Sequence, residues 1–224
     1  FFIYNKILKY STTNRDGYRE YKSNVFDCKN CMYVKKCTNS KSNQKILTRH
    51  IWQDYIEEAN HLRYKTEVKK IYQKRKETIE RVFADAKEKH GMRYTKLRGL
   101  QKIKMEVSLI FSCMNLKKLA NWIWRDTFGL VRRTPILMNF HITPGNIHDS
   151  VAFSDLYKKL KQNIKHPISA IAIDAGYITP YICKTLLDDN IIPAIPYKRP
   201  MTKKGYFKKY EYVYDEYYDC YLCP

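Results

Sequence analysis

Three sets of residues in this chain have types and spacings that could do chemistry. The first is Asp174, which follows the apolar run at the start of ISAIAIDAGY, 168–177. A carboxylate at the end of a buried strand costs free energy unless it is paired or binds a cation, and α/β folds place their chemistry at that edge. The competing reading is a turn residue or a cap for a helix beginning near 179. The second is Glu80, in the middle of YQKRKETIERVFADAKEKHG at 72–91, with Lys76, Ala84 and Lys87 on its helical face. Taken alone, that pattern describes a solvated helix with ion pairs. The third set is cysteines: Cys28 and Cys31 in CKNC, Cys37 six residues on, and Cys220 and Cys223 in CYLC. Two CxxC pairs plus a fifth cysteine suit a tetrahedral Zn²⁺ site, each pair offering two thiolates in a tight turn. The pairs are so far apart in sequence that a joint site requires the two ends of the chain to meet. The alternative is a set of reduced surface thiols.

The elements that must position these groups follow from hydrophobic spacing. Apolar residues recur at Ile71, Ile79, Val82, Phe83 and Ala86, then at Leu97, Leu100, Ile103, Val107, Ile110 and Met114. This predicts one helix over 66–89, a basic connection through 90–100, and a second helix over 101–121. From 136 the signal changes. A strand at 136–143 running into Pro144-Gly145, a helix at 149–162, a strand at 168–177, a helix at 179–189 and a strand at 191–195 form a β-α-β-α-β series. In GNIHDS, Asp149 reads as the cap of the helix that follows rather than as a partner of His148 in acid/base catalysis. Cys113 and Cys183 lie among apolar residues and read as core. Residues 1–50 are polar, with TTNRDG at 12–17 as a turn, and look like a small excursion. EYVYDEYYDC at 211–220 reads as an edge strand or hairpin arm.

Lys and Arg number 42 against 22 Asp and Glu, a formal net charge of +20 on 224 residues. With 44% hydrophobic residues the chain can bury a core, so the excess is not that of a disordered basic tail. Such charge calls for an acidic partner, and nucleic acid is the commonest. The segment 93–104 carries five basic residues and no acid, and 197–210 carries six basic residues and four aromatics, a mixture suited to phosphates and bases. No apolar run approaches the roughly 18 residues of a membrane span. No export signal is evident, which points to a cytoplasmic setting with reduced thiols.

The block RKETIERVFADAKEKHGMRYTKLRG with MNLKKLANW, together with HITPGNIHDSVAFSDLYKKL and AIDAGYITPYICKTLL, resembles the DDE transposases of bacterial insertion sequences. The likeness is to the group with a cysteine-containing insert before the glutamate helix. It implies an RNase H-like α/β fold, here an incomplete sheet with flanking helices plus a small cysteine-rich insert. It also implies two aspartates and a glutamate holding two Mg²⁺ ions for attack on a phosphodiester. Asp174 in IDAG matches the second aspartate and Glu80 the glutamate. Tyr72, Arg75, Glu80 and Lys87 resemble the Y-R-E-K signature, with four rather than three residues between Arg75 and Glu80. Arg75, Lys87, Arg93, Lys96 and Arg98 are the expected phosphate contacts. The partners implied are the transposon ends and target DNA, with self-association into a homo-oligomer left open.

The resemblance divides the chain into 1–50, part of the insert; 51–124, helical with the glutamate; and 138–224, an α/β segment with the aspartate leading into the insert. In the family the IDAG strand precedes the insert and the insert precedes the glutamate helix; here Glu80 comes first. Joining YDEYYDCYLCP to ILKYSTTNRDGYREYKS would restore a compact five-cysteine insert, so the expectation is a permuted, rearranged fragment. The first catalytic aspartate is not found: Asp126 is the only acid near its expected place, and nothing strand-like precedes it. The expectation is therefore little or no strand cleavage. The alternative function is a basic DNA-binding module, zinc-containing on the first reading of the cysteines.

Overall fold

The computed structural model describes residues 6–127, 137, 140–199 and 201–224, and of these every side chain except those of 125–127 and 149. The chain forms two compact units: residues 1–57 with 197–224, and residues 58–196. This division follows compactness, whereas the three segments above follow motifs. Both ends of the chain fall in the first unit.

The first unit is built on a five-stranded antiparallel sheet. Strands β1 (Ile7–Thr13), β2 (Tyr18–Ser23) and β3 (Ile46–His50) come from the start of the chain, and β6 (Val213–Asp215) and β7 (Cys220–Leu222) from its end. Their order is β3-β2-β1-β7-β6. The hairpin joining β1 to β2 uses the expected turn: Asn14 Oδ1 accepts from the amides of Asp16 and Tyr18 at 3.1 and 2.8 Å. Gly17 closes it at φ +79°, where a Cβ would stand 3.1 Å from His50 Nε2. Residues 213–222 form the expected hairpin, with β6 at the sheet edge. Between the strands lie two short helices, α1 (Val25–Lys29) and α2 (Val34–Cys37).

Residues 1–50 were expected to be a minor excursion, and the structure corrects this. They supply three of the five strands and much of a core made by Leu8, Tyr21, Cys37, Leu47, Tyr212 and Tyr221. Composition hid this because the core is rich in tyrosine, whose ring is buried while its hydroxyl finds a partner. Tyr21 and Tyr214 both donate to Asp219 Oδ1, at 2.6 and 2.7 Å. Arg49, 6% exposed, lies with its guanidinium 4.1 Å from the Tyr214 ring centre. It is held at the same time by Glu57 and Asp54 of helix α3 (Gln53–Leu62).

The second unit contains helices α4 (Thr66–Glu77), α5 (Ile79–Lys89), α6 (Leu100–Thr127) and α7 (Asp149–Asn163). Strand β4 (Ala170–Ala172), helix α8 (Pro180–Asp188) and strand β5 (Ile192–Ala194) follow. The single helix expected over 66–89 is two. Thr78 breaks it at φ −105°, ψ −89°, and its Oγ1 donates back to the carbonyl of Lys74 at 2.9 Å. A β-branched hydroxyl that bonds its own preceding turn competes with helix continuation. The break lies between Arg75 and Glu80, where the sequence carries one residue more than the signature it resembles.

Val82 and Ala86 of α5 pack on Phe111 and Met114 of α6. Strands β4 and β5 are parallel, with α8 connecting them and burying Ile182, Cys183 and Leu186. The strand expected over 168–177 is shorter, because Asp174 already caps a single 3₁₀ turn, Ala175–Tyr177. Of the strand expected at 136–143, residues 136, 138 and 139 lie outside the described residues, and those described, 137 and 140–143, form no strand. The N-cap of α7 is His148, whose side chain accepts from the Ser150 amide, not Asp149, which is already the first helical residue. Cys183 is buried as expected, whereas Cys113 is exposed on α6.

Leu8 is 1% exposed at the centre of the first core. Leu8→Ala should lower unfolding stability by about 2–5 kcal/mol, the usual cost of emptying a packed leucine site. Chemical denaturation followed by circular dichroism checks this, and the midpoint should fall.

Candidate carboxylate site and cysteine cluster

Asp174 is positioned by the parallel strand pair. The Ile173 amide donates to the Ala194 carbonyl at 3.1 Å, which carries the β4–β5 ladder one residue further and leaves Asp174 as the first residue beyond it. Its Oδ1 accepts from the Ala175 amide at 2.7 Å and lies 3.4 Å from Arg75 on α4. The amide holds the carboxyl below its ordinary range; burial opposes this, and the charge and hydrogen bond of Arg75 add to the lowering. Burial also works against the charge on Arg75, but hydrogen bonding to Tyr72 and the proximity of Asp174 outweigh it and raise its pKa. Tyr72, Arg75 and Asp174 thus form one connected set. Asp174 caps a turn and pairs with Arg75 at the exposed end of a half-buried strand.

Glu80 is exposed in the first turn of α5 and is not among the partners of Asp174. Lys87, Arg93, Lys96 and Arg98 are all exposed, on α5 and the connection to α6, and Arg93 is paired with Glu88. Arg75, expected to contact phosphate, is paired with Asp174. Sequence spacing did not indicate this pair, because the two residues lie on elements whose docking depends on tertiary packing. Spacing also missed a cleft of about 220 Å³ lined from α4, α5 and α6, whose charged residues are Glu77, Arg81, Asp85, Lys89, His90, Lys117 and Lys118. Burial pushes the Lys118 amine down, with Asp85 opposing the shift. The second basic tract is partly committed to the fold: Lys209 Nζ donates to the Thr48 carbonyl at 2.6 Å, and the Phe207 amide to the Lys36 carbonyl at 2.9 Å.

The cysteines gather in the first unit. Cys28, Cys31, Cys37 and Cys223 line one cavity of about 270 Å³ beneath the sheet, together with Ser23 and Lys45. Cys220 does not join them and lies beside Asp215, Tyr218 and Asp219 instead. Successive strand residues alternate faces, so residues three apart on an extended chain point opposite ways and CYLC cannot act as a pair. A hydrogen bond from Cys223 depresses the Cys37 thiol, with Tyr212 and Lys45 acting in the same direction; the same contact, with burial, raises Cys223. Burial and the neighbouring carboxylates of Asp215 and Asp219 raise Cys220.

Two family models, each described as a transposase DDE domain, match residues 4–120 and 128–219. The first alone covers more than half of the chain, so this protein belongs to the DDE transposases. No curated protein and no solved structure matches it. The mixed α/β architecture is compatible with that family. Among the described residues, no helix is long and apolar enough to cross a membrane.

DDE transposase domains generally use Mg²⁺. The residues in place do not fit such an ion as they stand. Asp174 is engaged by an amide and a guanidinium, Glu80 is not among its partners, and among the described residues no group of three or more His, Cys, Asp or Glu is arranged to hold a metal as the structure stands. The side chain of Asp126 lies outside the described residues.

The stabilising effect of the Asp174 ion pair has a definite pH direction. Because the folded carboxyl is depressed, the contribution is present above the ordinary aspartate value of about 3.9 and is lost as the pH falls through the lower folded value. Arg75→Gln should raise the Asp174 pKa only partway, since the Ala175 amide remains. NMR titration of the carboxyl carbon reads this directly, and an unchanged titration would mean that the pair carries no electrostatic coupling.

Proposed function

We propose that this chain is the transposase of an insertion sequence, acting on duplex DNA at transposon ends and targets, with rearranged motif order and weak strand cleavage. The observation that carries this reading is the Arg75–Asp174 contact at 3.4 Å. Arg75 belongs to the block matched by one transposase model and Asp174 to the block matched by the other. The contact supports a shared site for the first part of the signature, Tyr72 and Arg75 on α4, and the IDAG strand, despite their inverted order in the chain. The parallel β4–β5 pair with α8 supports an incomplete RNase H-like sheet. Antiparallel pairing of β1 with β7, Ile7 opposite Leu222, supports a junction between the end of the α/β segment and the start of the insert.

Within this reading Asp174 and Glu80 are the catalytic-type carboxylates, and Arg75 holds Asp174 in place. Lys87, Arg93, Lys96 and Arg98 follow the strand, neutralising phosphates and releasing counterions. Cleavage is weak because a two-metal site needs carboxylates free to bridge ions, and the charge of Asp174 is already matched by Arg75. The setting is cytoplasmic.

A nicking assay on supercoiled plasmid with Mg²⁺ tests the reading. The chain should bind the plasmid yet nick it no faster than Asp174→Asn. Rapid Mg²⁺-dependent nicking abolished by Asp174→Asn would overturn the weak-cleavage part of the proposal. Failure to bind DNA at low salt would overturn the whole.

A further inference from the structure

We propose that Cys28, Cys31, Cys37 and Cys223 bind a single structural Zn²⁺ ion that ties the two ends of the chain together, and that Cys220 is not a ligand. The inference rests on the cavity and its strand geometry and is independent of any activity on DNA. Four thiols from three segments meet at one cavity: Cys28 and Cys31 from α1 and the turn after it, Cys37 from the end of α2, and Cys223 just beyond β7. The turn is of the kind a CxxC ligand pair uses, with the Cys31 amide donating to the Cys28 carbonyl at 3.2 Å and the Val34 amide to the Cys31 carbonyl at 3.2 Å. Cys223 is fixed in register by its own amide, which donates to the Lys6 carbonyl at 2.8 Å.

Four donors match the tetrahedral preference of structural zinc sites. Among the described residues no group of three or more candidate ligands is already set to hold an ion, and the thiols instead bond to neighbours. Cys28 Sγ donates to Ser23 Oγ at 3.1 Å, and Cys37 Sγ lies 2.9 Å from the Tyr212 hydroxyl. Binding would exchange these contacts for sulfur–zinc bonds and release the thiol protons to solvent. The resulting tetrathiolate centre would carry two net negative charges. Lys45, which lines the same cavity and donates to the Cys37 carbonyl at 2.8 Å, is placed to offset them.

Titration of the reduced, metal-free full chain with Co²⁺ tests the proposal. The expected result is one equivalent bound, with the intense visible bands of tetrahedral cobalt and sulfur-to-metal charge transfer, displaced by Zn²⁺. Cys223→Ser should lose the tetrathiolate spectrum, and Cys220→Ser should keep it. In the unmutated chain, Zn²⁺ should protect four thiols from alkylation, mapped by mass spectrometry to Cys28, Cys31, Cys37 and Cys223. That measurement stands even where a variant fails to fold. No tetrahedral spectrum, protection of a different set of thiols, or loss of the spectrum in a folded Cys220→Ser would overturn the proposal. A Cys37–Cys223 disulfide with no metal uptake after its reduction would do the same.

Discussion

The pairing of β1 with β7 is the constraint on which the first unit depends. Only three residue pairs make it, from Ile7 opposite Leu222 to Lys9 opposite Cys220, yet they join strands from opposite ends of the chain. Closing so long a loop is entropically costly, although the cost grows only slowly with length. What offsets it is the packing that the register allows. Tyr221 comes against Tyr21, with ring centres 5.1 Å apart, and Leu8 is sealed beneath them. The same register sets Cys223 on the face of Cys37 and turns Cys220 away. A slip by one residue would invert both, because it moves every side chain of the strand to the other face.

In the second unit the comparable contact is the Arg75–Asp174 pair. It links α4 to the end of β4, so the geometry of the carboxylate site depends on a cation that the family signature itself contains. The pair is partly exposed, with the Asp174 side chain at 56%, and its value lies in positioning more than in stability. Asp174 is thereby held in a fixed orientation and deprived of free charge at the same time. The helix break at Thr78 puts Arg75 and Glu80 on two different helices.

How much of this was legible in the sequence differs by element. The β4-α8-β5 unit was readable because a nearly unbroken apolar run, a Thr179 cap with Pro180 at the helix start, and a second apolar run are local signals. The family was readable from the blocks around Glu80 and Asp174. The five-stranded sheet was not, because its strands are rich in tyrosine, lysine and arginine and its neighbours in space are remote in sequence. Arg49 shows the difficulty: a charged residue in a strand reads as exposed, yet it is buried between a tyrosine ring and two carboxylates. The cysteine spacing made a meeting of the two ends the condition for a joint site, but it could not indicate which of five thiols would face away; that follows from strand alternation once β7 is known to be a strand.

The central claim is that a basic surface around the glutamate helix engages DNA through its phosphates. The most direct measurement is the equilibrium affinity for duplex DNA as a function of salt concentration. Log affinity should fall linearly with log salt, with a slope of about −0.9 for each phosphate neutralised. Replacing Lys87, Lys96 and Arg98 together by glutamine should make that slope shallower by about 3 at most, on the same count of one contact each. An affinity independent of salt, or a slope unchanged by those substitutions, would contradict the account.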